Sequence, residues 1–344
     1  MSSLQPEYRP DAPAVIPRYK QSRLWTTARA SWLGDGVRQG RRFSHEVLSL
    51  FAAPPPTGPR VQELISSLER FPCTSSQPGE TNEVAEDPIF LLSTGWRSGS
   101  TLLQRILVTD PRLLLWGEPQ GEMALLPRLT EMVSHFISRR NLKEWINQPA
   151  LSSSTLSQSW IANLYPPADD FRSALRAVFD RLLGEPAKRH GFSRWGFKEV
   201  RIGAAEAVLL RWLFPEAKFL VISRHPYDCY RSLVDSGWSR VYDRYPEVSV
   251  DSALAFARHW NRIAMSWSEL PDDFPLISIR YEDMLARKVD FRFIESWLGI
   301  KIQEDIALSS PVGGTATRAS LSWYERLIVS RVAAPGMRAL GYPS

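Results

Sequence analysis

The sequence predicts an α/β fold: a parallel β-sheet flanked by helices, preceded by a partly helical N-terminal extension. Three observations predict it. From residue 88 onward, short apolar runs alternate with stretches of helical periodicity. The first run leads directly into a loop rich in glycine and hydroxyl side chains, and a helix leaves that loop. Finally, 44% hydrophobic and 23% charged residues describe an ordinary globular chain, which excludes disorder throughout. Strands joined by helical crossovers lie parallel and are covered on both faces, and ligands of such sheets bind beyond the carboxyl ends of the strands.

Residues 1–86 differ from the rest. They hold Pro54-Pro55-Pro56, a polar stretch from Thr74 to Glu80, and helix-like segments near 43–52 and 60–70. They read as an extension and linker ahead of a domain spanning 87–344. In that domain Pro88 to Ser93 is a buried strand, Gly95 to Ser100 a small-residue loop, and Thr101 to Thr109 a helix with Leu102, Leu103, Ile106 and Leu107 on one side. Leu113 to Trp116 is a second strand. Residues 120–190 are mostly helical and carry Trp145, Trp160, Tyr165 and Phe171, which suits either a substrate-side lid or a packing subdomain. Trp195 to Lys198 is a third strand. Lys218 to Ser223 is a fourth, followed by a helix from about Tyr227 to Ser236, and Leu276 to Tyr281 is a fifth.

Charge and composition narrow the function. A net charge of +5 is mild for this length, and no dense basic stripe interleaved with aromatics marks a nucleic-acid surface. Two cysteines make neither a disulfide framework nor a cysteine zinc site, and the five histidines are scattered, so no metal is expected. Residues 1–40 lack the apolar core of a signal peptide, and no apolar window reaches membrane-spanning length. The expectation is a cytoplasmic protein with no membrane span.

The loop Ser93-Thr94-Gly95-Trp96-Arg97-Ser98-Gly99-Ser100-Thr101 carries the strongest chemical signal. Its glycines permit a tight turn and close approach of backbone to an anion. The helix start aims unpaired N–H groups at that anion. Ser98, Ser100 and Thr101 add hydroxyls, and Arg97 adds a forked cation. The loop of nucleoside triphosphatases has four residues between its glycines and then Lys and Ser/Thr. Here three residues separate Gly95 from Gly99, Ser100 stands where the lysine would be, and no magnesium-holding acid closes the second strand. A small-molecule phosphotransferase of that architecture is therefore the second reading, and a non-catalytic nucleotide-binding protein the third.

Gly-Trp-Arg-Ser-Gly-Ser-Thr-Leu-Leu resembles the loop of sulfotransferases that use 3′-phosphoadenosine 5′-phosphosulfate (PAPS). It is nearest to the Arg-Ser-Gly-Thr-Thr-Leu variant of the bacterial and protein-tyrosine branches. The resemblance implies that Arg97, Ser98, Gly99, Ser100 and Thr101 grip the 5′-phosphosulfate. A second stretch supports it: a strand ending in Arg224, then Pro226, with Ser232 eight positions after the arginine and about two helical turns in. This is similar to the family's 3′-phosphate site, with His225 where aspartate is common. Trp195 to Val200 is similar to the family strand whose lysine, here Lys198, lies near the transferred group; Val200 replaces a proline. Arg280-Tyr281-Glu282-Asp283 is similar to a strand end whose tyrosine touches the nucleotide, and Arg318 falls in a segment similar to the one that closes over PAPS. The likeness covers about residues 88–325.

The resemblance implies transfer of a sulfuryl group from PAPS, as co-substrate, to a hydroxyl or amine acceptor, with release of adenosine 3′,5′-bisphosphate (PAP). Arg97 and Lys198 would stabilise the charge that develops. Glu118, after the second strand, is the candidate base, as a glutamate stands at the corresponding place in the tyrosine-sulfating branch; a helix-capping role before Pro119 fits the same position. Glu122 and Glu199 are alternatives. The acceptor class (phenol or tyrosine, sugar hydroxyl, small metabolite) is not legible.

Overall fold

The computed structural model describes residues 61–70, 87–118, 124–138, most of 152–236, most of 250–305 and 320–343, with Glu46. The chain divides into two compact units, Met1–Leu48 and Ser49–Ser344, and the sheet and helices named here belong to the second. Glu46 apart, the helix expected near 43–52 lies outside the described residues, as do the stretch 71–86, Trp145, Tyr165 and Arg318.

Five strands form one parallel sheet: β1 (Ile89–Ser93), β2 (Leu113–Trp116), β3 (Arg194–Glu199), β4 (Lys218–Ser223) and β5 (Leu276–Arg280), in the order β2-β3-β1-β4-β5. The order has a direct consequence for the site. β1 is central, so the loop that leaves it emerges between the ends of β3 and β4. Leu91 is in register with Lys198, and Ser93 with Ile222. Gly196 in β3 is required by close approach: an added Cβ would stand 1.8 Å from Ile89 O and 2.8 Å from Leu115 Cδ2.

Among the described residues, the helices of eight or more residues are α1 (Val61–Arg70), α2 (Ser100–Leu107), α3 (Leu125–Ser138), α4 (Ala168–Phe179), α5 (Ala204–Leu213), α6 (Pro226–Ser236), α7 (Ala253–Ser266), α8 (Phe291–Leu298) and α9 (Trp323–Ala339). Alternation along the strands sorts the core into two faces. Phe90, Leu92, Phe197, Phe219 and Val221 pack with Leu64 of α1, Leu126 of α3 and Leu209 of α5. Ile89, Leu91, Leu220 and Ile222 pack with Leu103 and Ile106 of α2 and Ile294 and Leu298 of α8. A third cluster gathers α6, α7 and α9 around Trp96, Tyr230 and Trp260. Thus α1, read from sequence as part of an extension, buries Val61, Leu64 and Leu68 in the main core.

The expected strands are all present, with small changes at their ends. β5 stops at Arg280, because Tyr281 opens a single-turn helix, Tyr281–Leu285. α6 begins at Pro226, whose fixed φ and missing N–H suit a first helical position. The segment after β2 is mostly helical where described, with turns and irregular backbone between 157 and 166, and α4 runs on through a π-helical turn, Asp180–Gly184, into Glu185–Arg189.

Candidate active site

The loop after β1 is built from its own side chains upward. The N–H of Gly95 donates to Ser93 Oγ at 3.3 Å, and the Ser93 hydroxyl donates back to Gly95 O at 2.9 Å, which closes the turn. Three residues then take positive φ: Gly95 at 141°, Arg97 at 64° and Gly99 at 89°. For arginine that conformation costs about 1–2 kcal/mol, and such strain gathers at functional turns. Beneath the loop, Trp96 is buried and stacks on His259 of α7, with ring centroids 4.7 Å apart. Burial holds the His259 pKa well below the ordinary histidine range, and the neighbouring Arg262 adds to that, so the ring is neutral.

Helical hydrogen bonding in α2 starts at Leu102 and Leu103, whose N–H groups donate to Gly99 O at 2.9 and 3.2 Å. Among the described residues, the N–H groups of Arg97 through Thr101 have no acceptor. The Oγ of Ser98 and the Oγ1 of Thr94 are buried and also have none. Backbone donors open in this way at a strand-to-helix turn are chemically suited to an anion.

The β4 end abuts the same loop. Arg224 donates from Nη1 to Arg97 O at 3.1 Å, and Arg97 donates from Nε to Ser232 Oγ at 3.0 Å. The Arg224 guanidinium lies over the Tyr281 ring, 4.5 Å from its centroid, and the edge of that ring rests on Gly99. Arg97, Gly99, Arg224, Ser232 and Tyr281 therefore form one cluster. His225, beside it, donates its backbone N–H to Glu282 at 2.9 Å and accepts from Tyr227 N–H at Nδ1. Burial pushes the Cys229 thiol up to about 12.

A second cluster lies at the β2 and β3 ends. Lys198 Nζ donates to Glu118 Oε1 at 2.7 Å, and Arg201 Nη2 lies 3.6 Å from Glu118 Oε2. Glu199 is fully buried and grips Arg201 with both oxygens, at 2.8 and 3.0 Å, while accepting Val200 N–H at 2.8 Å. Burial raises the Glu199 pKa, against the pull of Arg201. Glu199 thus orients Arg201 and has no open face for a substrate, whereas the Glu118 side chain is 27% exposed. Glu122 and Pro119 lie outside the described residues.

The structure pairs Lys198 with Glu118 and links Arg224 to Ser232 by way of Arg97, which accepts from Arg224 at its carbonyl and donates to Ser232 from its side chain. Arg97 is different. Its side chain lies on Ser232, and among the described contacts none joins it to Lys198 or Glu118. Sequence reasoning missed Arg201, visible only as a charge two positions past Glu199, and Gln104. From α2, Gln104 Nε2 donates to Leu115 O at 2.8 Å and Trp116 O at 3.3 Å, pinning the strand that leads to Glu118. Among the described residues no cluster of His, Cys, Asp and Glu could hold a metal, and no helix is long and apolar enough to cross a membrane.

A model of the sulfotransferase family matches residues 88–304, which include both clusters. The chain belongs to the sulfotransferase family. Solved structures similar to it include the sulfotransferase domain from the curacin biosynthetic pathway, 18% identical over 75% of this chain and 98% of that one, with a TM-score of 0.41. The sulfotransferase from Alicyclobacillus acidocaldarius is 16% identical over 75% of this chain and 95% of that one, with a TM-score of 0.38. Mouse sulfotransferase SULT7A1, solved in complex with PAP, is 15% identical over 80% and 89%, with a TM-score of 0.39. No curated protein sequence matches the chain.

Proposed function

We propose that this sulfotransferase takes PAPS as donor and moves its sulfuryl group to a hydroxyl or amine acceptor, releasing PAP. The observation that carries the reading is the juxtaposition of two anion cradles. One is the set of open amides at 97–101 with the buried hydroxyl of Ser98; the other is Arg224 with Ser232; and Arg224 contacts the loop itself. PAPS, when bound, supplies a sulfuryl group on a phosphate leaving group. The loop amides, with Ser98, Ser100 and Thr101, hold the 5′ end, and α2 adds the positive end of its dipole. Arg224 and Ser232 hold the 3′-phosphate, with Arg97 on the same side through its bond to Ser232.

Glu118 is the base, and its ion pair gives Lys198 a defined sequence of tasks. While Glu118 is ionised, it keeps the Lys198 ammonium at 2.7 Å. Once Glu118 accepts the proton of the acceptor, its hold on Lys198 weakens, and the ammonium is free to face the oxygens that gain negative charge in an in-line displacement. Arg201 stays beside the carboxyl, anchored by Glu199.

Calorimetric titration with PAP and with ATP tests the donor assignment. PAP binds more tightly than ATP, and Arg224→Ala weakens PAP about 10- to 100-fold, the size of a lost charge-assisted hydrogen bond. Tighter binding of ATP, or an Arg224→Ala variant with unaltered PAP affinity, overturns it.

A further inference from the structure

Tyr342 follows α9 and is 7% exposed. Its hydroxyl donates to Glu282 Oε2 at 3.0 Å and shares a hydrogen bond with Ser223 Oγ at 3.1 Å. Because the phenol proton goes to the carboxylate, the Ser223 hydroxyl is the donor in the second bond. The other oxygen of Glu282 accepts the His225 N–H at 2.9 Å. The residues on both sides of Arg224, Ser223 and His225, are therefore gripped by one small network, and Arg224 between them projects onto the Tyr281 ring and Arg97 O. The segment bearing Tyr342 is itself fixed. Its N–H donates to Met337 O at 2.8 Å, and Arg280 Nη1 donates to Gly341 O at 3.3 Å. The His225 ring packs edge-on against the Tyr342 ring, with centroids 5.6 Å apart.

We propose that Tyr342 is a positioning residue of the 3′-phosphate cradle, setting the aim of Arg224 by way of Glu282, Ser223 and His225. The proposal rests on the PAPS reading and adds to it a residue more than a hundred positions from the cradle. Three features of the network suit the role. It crosses from the β4 end to the β5 end, where Ser223 and Arg280 are in register, so it controls the separation of Arg224 from Tyr281. It ends on a carboxylate, and hydrogen bonds to a charged group are the stronger kind. Burial raises the Tyr342 pKa above the ordinary tyrosine range, with the Glu282 charge adding to the rise, which keeps the phenol a donor.

The test compares two ligands by calorimetry, PAP and adenosine 5′-phosphate, which lacks the 3′-phosphate. Tyr342→Phe removes the hydroxyl and leaves the ring. Its Kd for PAP rises about tenfold, while its Kd for adenosine 5′-phosphate changes by less than about twofold. Equal weakening of both ligands, or no change for PAP, overturns the proposal. Wild-type protein that fails to distinguish the two ligands instead refutes the donor assignment, so the two failures are separable. Glu282→Gln keeps the shape of the side chain and removes its charge, and it shows the same selective loss. Should Tyr342→Phe not fold, the Glu282→Gln comparison decides alone, with unchanged PAP affinity counting against the proposal.

Discussion

Gly99→Ala probes whether the phosphate loop and the Tyr281 ring are parts of one rigid cradle. A Cβ at this position would stand 2.2 Å from Tyr281 Cδ2 and 2.5 Å from Cε2, well inside contact distance. The backbone there has φ +89°, where a side chain costs about 1–2 kcal/mol. Overpacking costs about 1–3 kcal/mol more. The sum is about 2–5 kcal/mol, which at about 2.1 cal/mol/K per residue lowers the Tm of a 344-residue chain by roughly 3–7 °C. The ring cannot simply withdraw, because the Arg224 guanidinium lies on its face; the clash therefore moves Arg224 and weakens PAP as well. A double-mutant cycle in urea isolates the contact. With Tyr281→Ala in place the overpacking vanishes, so Gly99→Ala costs only its backbone strain and the coupling is about 1–3 kcal/mol. Additivity of the two substitutions to within about 0.5 kcal/mol refutes the rigid-cradle argument.

Further expectations concern other parts of the molecule. Lys198→Ala and Glu118→Gln each lower sulfuryl transfer about 100-fold or more while the Kd for PAP stays within about twofold; Arg97→Ala behaves oppositely, losing PAP affinity, since its side chain lies on Ser232. Both are read from turnover and calorimetry on the same preparations. Asp110, almost wholly buried, accepts from Arg112 and from Lys301 N–H, and the Arg112 hydrogen bonds hold its pKa well below the usual carboxylate range. Its contribution to stability is present above about pH 4 and lost as pH falls below that value, so the Tm gap between wild type and Asp110→Asn narrows in acid. Cys229, fully buried with its thiol pushed up to about 12, resists alkylation at pH 8 and is modified only on unfolding. Mass mapping of its peptide checks this, and rapid labelling of native protein would contradict it.

The fold was legible wherever the information is local. β1 and β4 are continuous apolar runs because both faces of the sheet are covered, and the glycines, serines and arginine after β1 mark a tight strand-to-helix turn within nine consecutive residues. Pro226 marks the start of α6 in the same way. The strand order was not legible, since it depends on which buried edges meet across long separations. Nor was the place of α1 in the main core: its apolar positions are those of any amphipathic helix, and only the packed structure shows what covers them.

The site divides along the same line, for a physical reason. The groups assigned to the phosphates under the proposed function sit in turns that follow strands, and strand, turn and helix are consecutive in the chain, so Ser98, Gly99, Arg224 and Ser232 stand out by their spacing. Groups that aim those residues come from wherever packing brings them. Lys198 meets Glu118 across 80 positions, Arg97 meets Ser232 across 135, and Ser223 meets Tyr342 across 119. The sequence therefore puts Arg97 beside Lys198, by role, whereas its Nε lies on Ser232. That difference follows from the strand order: β1 lies between β3 and β4, so its loop has Lys198 on one flank and Arg224 on the other, and a side chain leaving it at φ +64° goes to one of them. Here it goes to the β4 flank, leaving Lys198 paired with Glu118 on the opposite flank, beside Arg201 and its partner Glu199.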